Sequence, residues 1–325
     1  MDGSATARPA LRKVEGLLLC YFFREESVRS ALTYEPQQDD IFIAGYPKTG
    51  TTWTQYILWN IFNGGVPPQS ATEFGQKMPL LEHAGAEVVI NTHPHRPWSI
   101  KTHLPLTMLR YSERAKYVYI ARNPYDCCVS YYHHTRAFPA YLYEDGSFDQ
   151  FFDMFVEGRG KYGDYFDHLL SWYEHRRDPN VLFVTYEGLR TDTESWVLKI
   201  ADFVGKKYGE TLRRDPRALQ VILDVSSTEI MKKVFNRSLS IVRDDSSLPS
   251  GHAASGSAKS PSQKYEELIK ASLGKPMTGD FVRKGMVGDW KNHFSPEQVE
   301  RMKEMILEKT SGSDVMQLWK GCDLP

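Results

Sequence analysis

The sequence lacks long apolar runs and is poor in cysteine. A helix that spans a bilayer needs about 20 consecutive apolar residues, and no stretch of the 325 residues reaches that length. Its four cysteines have neither the spacing of a metal site nor the density of a disulfide framework. We therefore expect a cytoplasmic protein with reduced cysteines, no membrane association and no bound metal.

An excess of charge of one sign is also missing, because 40 Lys and Arg residues balance 41 Asp and Glu residues. Proteins that bind nucleic acids or membrane surfaces usually carry a basic excess, so we expect neither as a partner. Apolar and aromatic residues make up 41% of the chain, enough for a sizeable core. Residues 16–23 are too short for the apolar part of a signal peptide and lack a following cleavage site, which favours a buried strand or hairpin.

Short β-rich runs alternate with helical patterns along the chain. The strand candidates cover residues 41–44, 98–102, 116–121 and 181–186. The helix candidates cover residues 51–62, 125–135, 148–156, 162–176, 193–204, 217–223 and 296–309. Alternation of this kind is typical of a parallel sheet with helices on both faces, so we predict an α/β fold.

One polar stretch interrupts this pattern. Residues 244–263 are rich in Ser, Gly, Ala and Pro and lack the apolar side chains needed to join a core. Because patterned sequence flanks the stretch on both sides, we predict a mobile loop within one domain that covers residues 1–325. A boundary between two domains is the alternative.

The most specific local pattern is an apolar strand followed by GYPKTGTTW at residues 45–53, called the anion loop below. A turn bounded by Gly45 and Gly50 leads into a helix, whose first N–H groups and dipole favour an anion. The glycines have the spacing of the nucleotide-kinase loop, but Thr51 stands at the lysine position and Lys48 lies inside the loop. We predict an anion of lower charge than a triphosphate, bound without a metal.

The anion loop resembles the donor signature T-Y-P-K-[ST]-G-T-T-W of the cytosolic sulfotransferases. Residues 122–133, RNPYDCCVSYYH, resemble the R-N-x-x-D-x-x-V-S-x-x-H segment of that family. Residues 283–291, RKGMVGDWK, resemble its R-K-G-x-x-G-D-W-K segment. The three blocks follow the order of the family, and similarity extends from about Val14 to the C-terminus.

The resemblance implies a single domain with a five-stranded parallel sheet. It also implies a donor, 3′-phosphoadenosine 5′-phosphosulfate (PAPS), and a product, adenosine 3′,5′-bisphosphate (PAP). The enzyme would transfer a sulfuryl group to a hydroxyl or amine of a small acceptor. A catalytically silent PAPS-binding protein is the alternative, and a P-loop kinase is disfavoured because the loop lysine and a metal-binding aspartate are missing.

The resemblance assigns the donor contacts to particular residues. The 5′-phosphosulfate would be held by Lys48, Thr49, Gly50, Thr51 and Thr52. The 3′-phosphate would be held by Arg122, Ser130, Arg283, Lys284 and Gly285. The adenine would be contacted by Trp53, Tyr186 and Ser227. Where relatives often have phenylalanine after that serine, this chain has Thr228, so we expect weaker stacking on that face.

The segment SIKTHLP at residues 99–105 matches the K-T-H-L-P motif of the family. The match makes His103 the general base, and an ordinary histidine pKa of about 6.5 suits that task. Lys101 would stabilise the sulfuryl oxygens and Lys48 the leaving oxygen. The reaction would be an in-line displacement without a covalent enzyme intermediate.

The acceptor pocket is expected among three apolar segments at residues 74–81, 138–143 and 235–242. These segments favour a phenol or hydrophobic alcohol, with amines and steroids left open. The polar stretch falls in the lid segment of the family, so we expect donor binding to order it.

Two further patterns bear on metals and on assembly. We interpret His93, His95, His133 and His134 as structural or loop residues, because no carboxylate or cysteine lies at ligand spacing. The dimer motif of the family, K-x-x-x-T-V-x-x-x-E, is altered because Ser-Pro replaces Thr-Val at residues 295–296. Proline lacks an N–H for strand-like pairing, so we expect a monomer or a weak homodimer.

Overall fold

The computed structural model describes residues 8–92, 98–238 and 260–325. The strands are β1 (Leu11–Val14), β2 (Leu17–Cys20), β3 (Ile41–Ala44), β4 (Ser99–Thr102), β5 (Lys116–Ala121) and β6 (Val181–Thr185). The helices are α1 (Glu25–Leu32), α2 (Thr51–Phe62), α3 (Ala71–Lys77), α4 (Leu81–Ala84), α5 (Ala86–Thr92), α6 (Pro124–Ala137), α7 (Phe148–Val156), α8 (Tyr165–Tyr173), α9 (Tyr186–Thr191), α10 (Thr193–Val204), α11 (Lys206–Arg214), α12 (Pro216–Val225), α13 (Thr228–Ser238), α14 (Pro261–Leu273) and α15 (Pro296–Lys309).

The central sheet is parallel and has the strand order β4-β3-β5-β6. Alternate residues of each strand point to opposite faces. On one face Phe42, Tyr117 and Tyr119 pack in a core with side chains of α6, α7 and α8. On the other, Ile43 and Val118 pack with side chains of α2, α10 and α12. The predicted α/β class with helices on both faces is confirmed.

The expected fifth strand is not formed within the described ranges. Its place beside β4 is taken by a single parallel bridge between Leu80 and Lys101, with the Lys101 N–H donating to the Pro79 carbonyl at 2.8 Å. Pro79 has no N–H to extend the ladder, and α4 begins at Leu81. The sheet therefore has four strands in the part of the chain that is described.

The N-terminal segment forms the predicted hairpin. Strands β1 and β2 pair antiparallel, and the turn residues Glu15 and Gly16 both have positive φ, at 46° and 92°. Leu19 and Cys20 on β2 are fully buried. None of the described helices is long and apolar enough to cross a membrane.

Most predicted helix bounds agree with the structure, and α2, α7, α10 and α15 have the predicted ends. The helix predicted over 162–176 is shorter, because the Asp164 side chain accepts the N–H groups of Phe166 and Asp167 and so caps α8. The prediction omits α1, α3, α4, α5 and α9, which have eight residues or fewer and too few turns to show a helical period. It also omits the longer helices α11, α13 and α14.

The C-terminal bound of the loop predicted over residues 244–263 is wrong, because α14 already begins at Pro261. Ser260 and Gln263 form a reciprocal capping box that starts α14, while residues 244–259 lie outside the described ranges. A second capping box, formed by Ser295 and Gln298, starts α15 with Pro296 in its first turn. The Ser-Pro pair in the altered dimer motif thus begins a helix, the position where a missing N–H costs least.

The anion loop is closely packed at its two glycines. A Cβ on Gly45 would lie 2.6 Å from the Ile120 carbonyl oxygen and 2.7 Å from Thr49 Oγ1. Gly50 has φ +113°, and a Cβ there would lie 2.8 Å from the Tyr186 ring. Both positions therefore exclude a larger residue for reasons internal to the fold.

We expect Gly45→Ala and Gly50→Ala each to lower the free energy of unfolding by about 1–3 kcal/mol, because the added methyl group overlaps packed atoms. The measurement is urea unfolding followed by circular dichroism. Gly75→Ala is the matched control, since Gly75 is exposed in α3 and a Cβ there meets nothing within 4 Å. Equal unfolding midpoints for Gly45→Ala and Gly75→Ala would contradict the packing argument.

Candidate active site

Four residues that directly follow the parallel strands meet at one edge of the sheet. Gly45 follows β3, His103 follows β4, Arg122 follows β5 and Tyr186 follows β6. The carboxyl ends of parallel strands are where open α/β folds bind ligands. A cavity of about 310 Å³ opens at this edge.

The structure brings most of the predicted site residues together around this cavity. Those that line it are Lys48, Gly50, Thr51, Thr52, Trp53, Lys101, His103, Arg122, Ser130, Tyr186, Arg283, Lys284 and Gly285. Thr49 and Ser227 do not line it. Thr49 is fully buried and its hydroxyl donates to the Tyr46 carbonyl at 2.8 Å. Ser227 Oγ accepts from the Ile230 N–H at 3.5 Å, and its neighbour Thr228 faces the cavity instead.

The anion loop presents the open N-terminus of α2. Gly50 is the N-cap and offers no side chain to the first N–H groups, and the first turn contains no acidic residue. Lys48 has φ +72°, an uncommon value for a residue with a Cβ. The unsatisfied N–H groups and the dipole of a twelve-residue helix favour an anion here.

Two lysines add positive charge beside the helix start. Burial, together with the cationic Arg122 guanidinium and Lys101, lowers the pKa of Lys48 to about 7. Burial also lowers the pKa of Lys101 to about 8, although the Glu82 carboxylate opposes the shift. The Lys101 ammonium donates to Thr52 Oγ1 at 3.4 Å. The lowered pKa values show that burial and like charges disfavour the charged forms of these lysines. An anion placed between the two ammonium groups would stabilise those charged forms.

His103 is fixed at three points. Its Nδ1 lies 2.6 Å from the Gly45 carbonyl oxygen, its backbone N–H donates to Glu82 Oε1 at 2.6 Å, and its carbonyl accepts from His168 Nε2 at 3.1 Å. A carbonyl can only accept, so Nδ1 carries the proton and Nε2 carries the lone pair. The imidazole is therefore held against the first residue of the anion loop in the form of a base.

Burial and the nearby Lys101 ammonium hold the pKa of His103 well below its ordinary value of 6.5, although the Gly45 carbonyl opposes the shift. The neutral ring is thus the main form at pH 7. A neutral imidazole with a fixed tautomer can accept a proton at Nε2, while the Gly45 carbonyl then stabilises the charged ring.

The second and third sequence blocks are joined by a carboxylate that the sequence reasoning passed over. Asp126 on α6 accepts the backbone N–H groups of Gly288 at 2.8 Å and of Trp290 at 3.0 Å. The Arg122 guanidinium donates to the Met286 carbonyl at 2.9 Å. These bonds hold the 283–291 segment against the end of β5.

Asp289 orients the two basic side chains of that segment. Arg283 Nη2 donates to Asp289 Oδ2 at 2.5 Å, and Lys284 Nζ donates to Oδ1 at 2.7 Å. Burial alone would raise the pKa of Asp289, but the hydrogen bonds from Lys284 and Arg283 outweigh it and hold the pKa well below its usual range. The side chain is 1% exposed, so it stays charged and keeps both cations at the cavity wall.

An aromatic wall formed by Trp53 and Tyr186 lies next to these cations. The Trp53 and Tyr186 rings are 5.6 Å apart with an interplanar angle of 65°, and the Trp53 indole N–H donates to the Ser226 carbonyl at 2.9 Å. The Arg122 guanidinium lies 4.3 Å from the centroid of the Tyr186 ring. A planar base could contact this wall beside a group that binds phosphate.

The apolar side of the cavity differs from the prediction. The segment 74–81 contributes Leu80, and the segment 138–143 contributes Phe138. No described residue of 235–242 lines the cavity, because Phe235 packs on Phe74 in the core with ring centroids 5.2 Å apart.

Several lining residues went unrecognised in the sequence. They are Phe22, Phe23, Lys161, Met231, Met277 and Phe281. His133 and His134, interpreted as structural, also line the cavity. The only local signal was position in the sequence, since Phe281 lies two residues before the 283–291 block and His133 ends the 122–133 block.

We expect His103 to stay neutral from pH 8 down to pH 6, because its buried position beside Lys101 opposes protonation. Long-range ¹H–¹⁵N NMR of labelled histidines should show an Nδ1–H tautomer with no titration in this interval. His103→Gln identifies the resonance by its loss. A midpoint at or above pH 6.5 would contradict the assignment of this ring as a base that is free at neutral pH.

The comparisons with known proteins agree with this geometry. A family described as "Sulfotransferase domain" matches residues 38–246 and 257–314. Human sulfotransferase 1C2 is 30% identical over 313 residues, 94% of each chain, and the amine sulfotransferase of Oryctolagus cuniculus is 30% identical over 88% of this chain and 85% of its own. The crystal structure of mouse sulfotransferase SULT7A1 complexed with PAP has a TM-score of 0.68 and 28% identity, covering 96% of this chain and 98% of that one. This chain belongs to the sulfotransferase family and is a sulfotransferase.

Proposed function

We propose that the protein transfers a sulfuryl group from PAPS to a hydroxyl, or an amine, of a small hydrophobic acceptor. The observation that carries the proposal is the 2.6 Å contact between His103 Nδ1 and the Gly45 carbonyl. This contact places a neutral imidazole beside the anion loop, while Lys48 and Lys101 line the same cavity. A base and a site for an anionic leaving group are therefore adjacent.

The cavity offers a separate match for each part of the donor. The N–H groups at the start of α2, with Lys48, suit the 5′-phosphosulfate. Arg122, Ser130 and the 283–285 segment suit the 3′-phosphate, since guanidinium and ammonium groups bind phosphate strongly. Trp53 and Tyr186 suit the adenine. The PAP complex of mouse SULT7A1 supports this donor.

The proposed reaction is an in-line displacement at sulfur. His103 Nε2 accepts the proton of the acceptor hydroxyl as its oxygen forms a bond to sulfur, and the bond from sulfur to the bridging oxygen breaks. Lys48 stabilises the negative charge that develops on that leaving oxygen, and Lys101 stabilises the sulfuryl oxygens. These lysines supply the positive charge, so the proposal includes no metal ion.

The acceptor half of the cavity is mainly apolar. Phe22, Phe23 and Phe138 line it, and the Phe22 and Phe138 rings meet edge to face at 5.3 Å. Aromatic walls of this kind favour a flat, apolar acceptor with one reactive hydroxyl. A phenol is the simplest compound of that class.

The proposal predicts transfer of sulfur and not of phosphorus. Incubation with 2-naphthol and either ³⁵S-labelled PAPS or γ-³²P-labelled ATP should give a sulfated product only. His103→Gln should lower kcat by about 10²–10⁴-fold, because it removes the base that accepts the proton. A phosphorylated product would overturn the proposal. Binding of PAPS without any sulfated acceptor, across a panel of phenols, alcohols and amines, would indicate a catalytically silent binding protein.

A second prediction concerns donor affinity. Asp289→Asn should weaken PAP binding about tenfold or more, because Arg283 and Lys284 lose the charged group that orients them toward the cavity. Isothermal titration calorimetry measures the affinity directly.

The matched control for this prediction is Asp323→Asn. Asp323 also pairs with a lysine, Lys291, but its side chain is 88% exposed and does not line the cavity. We expect this variant to bind PAP like the parent. Equal affinity of Asp289→Asn and the parent would show that the network does not serve the donor site.

A further inference from the structure

Lys161 is a buried cation for which the proposed reaction has no role. It lies between α7 and α8, is 8% exposed, and lines the cavity. Its backbone carbonyl accepts from the Tyr131 hydroxyl at 3.1 Å, and the next residue, Tyr162, donates its N–H to the Leu18 carbonyl of β2 at 2.8 Å. The fold therefore holds this segment on both sides.

The Lys161 ammonium is surrounded by aromatic rings. It lies 4.7 Å from the ring centroid of Phe23, 5.2 Å from that of Tyr162 and 5.6 Å from that of Tyr141. Each ring face attracts a cation weakly. The ring faces hold the ammonium in place, and neither the Tyr141 hydroxyl nor the Tyr162 hydroxyl accepts a hydrogen bond from it.

No polar partner satisfies this ammonium among the described residues. It donates no hydrogen bond there and forms no ion pair within 4 Å. The nearby carboxylate of Glu82 accepts the backbone N–H of His103 at Oε1, and its Oε2 has no hydrogen-bond partner in the described ranges, so it does not accept from Lys161. Burial lowers the pKa of Lys161, although Cys20 and Glu82 oppose the shift. A buried ammonium without a hydrogen-bond acceptor is costly, and an anion in contact with it would offset that cost.

Lys161 lies on the aromatic side of the cavity, where Lys101 is the nearby cation and its pKa is lowered by burial and by the Lys161 charge. Six lysines and arginines of the described ranges line the cavity, against one acidic residue, Asp280. Lys48, Arg122, Arg283 and Lys284 lie with the anion loop and the 283–291 segment. Lys161 instead lies among the aromatic side chains, next to Tyr162, whose ring is 5.4 Å from the His103 ring.

We propose that Lys161 binds a carboxylate of the acceptor, so that the preferred acceptors are phenols that carry a carboxylic acid. This inference rests on the proposed function and names its substrate class. The hydroxyl would face His103, the aromatic ring would pack among the phenylalanines, and the carboxylate would accept hydrogen bonds from the buried ammonium. An acceptor with an ammonium group would meet a like charge in the same place.

The test uses three acceptors that differ in one group: 3-(4-hydroxyphenyl)propanoate, its primary amide, and tyramine. With the parent protein and PAPS, kcat/KM should be at least about tenfold higher for the carboxylate than for the amide, and lowest for tyramine. This ranking is measured on the parent protein, so it does not depend on whether any variant folds. An equal or higher value for tyramine than for the carboxylate would overturn the inference.

Lys161→Met keeps the length of the side chain and removes the charge. We expect the ratio of kcat/KM for carboxylate over amide to fall by about tenfold to a hundredfold. Lys303→Met is the matched control, because Lys303 pairs with Glu300 on the surface of α15 and does not line the cavity. A ratio that stays at the parent value in Lys161→Met would show that Lys161 serves packing alone.

A binding measurement separates this inference from the proposed function. In the presence of PAP, which has no sulfuryl group to transfer, calorimetry should show tighter binding of the carboxylate than of the amide to the parent, and loss of that difference in Lys161→Met. If no acceptor is sulfated, the proposed function fails, and the binding difference still decides the role of Lys161. The absence of that difference in the parent would overturn the inference.

Discussion

The hydrogen bond from His103 to the Gly45 carbonyl is the contact on which the rest of the site depends. It is set by the register of two neighbouring parallel strands, since Ala44 of β3 pairs with Thr102 of β4. Each strand then ends one residue before a member of the bond. The pairing of the backbone therefore decides both the tautomer of the imidazole and its distance from the anion loop.

Buried carboxylates position the basic groups at the edge of the cavity. Two carboxylates, Asp126 and Asp289, determine where the basic groups of the 283–291 segment lie. Asp126 fixes the backbone of that segment, and Asp289 fixes the side chains of Arg283 and Lys284. Because both carboxylates are about 99% buried, these interactions are little weakened by water or salt.

The parts of the fold that could be predicted are those encoded within a few neighbouring residues. Strand β3 and helix α2 have the predicted bounds because an apolar run, two glycines and a helix start are adjacent in the chain. The capping box of Ser260 and Gln263 is also a local signal. The predicted loop ends too late because it includes these residues. In contrast, Lys161 and Phe23 approach one another across 138 positions of sequence, and no local pattern reports such a contact.

The hairpin formed by β1 and β2 leads directly to Phe22 and Phe23, which line the apolar side of the cavity, where the acceptor is proposed to bind. The anion loop and the 283–291 segment, where the donor is proposed to bind, follow β3 and lie near the end of the chain, respectively. Under the proposed function, changes confined to the first two dozen positions would alter acceptor preference and leave the donor site in place. Acceptor range and donor use would then be separable traits, because the hairpin lies outside the central sheet.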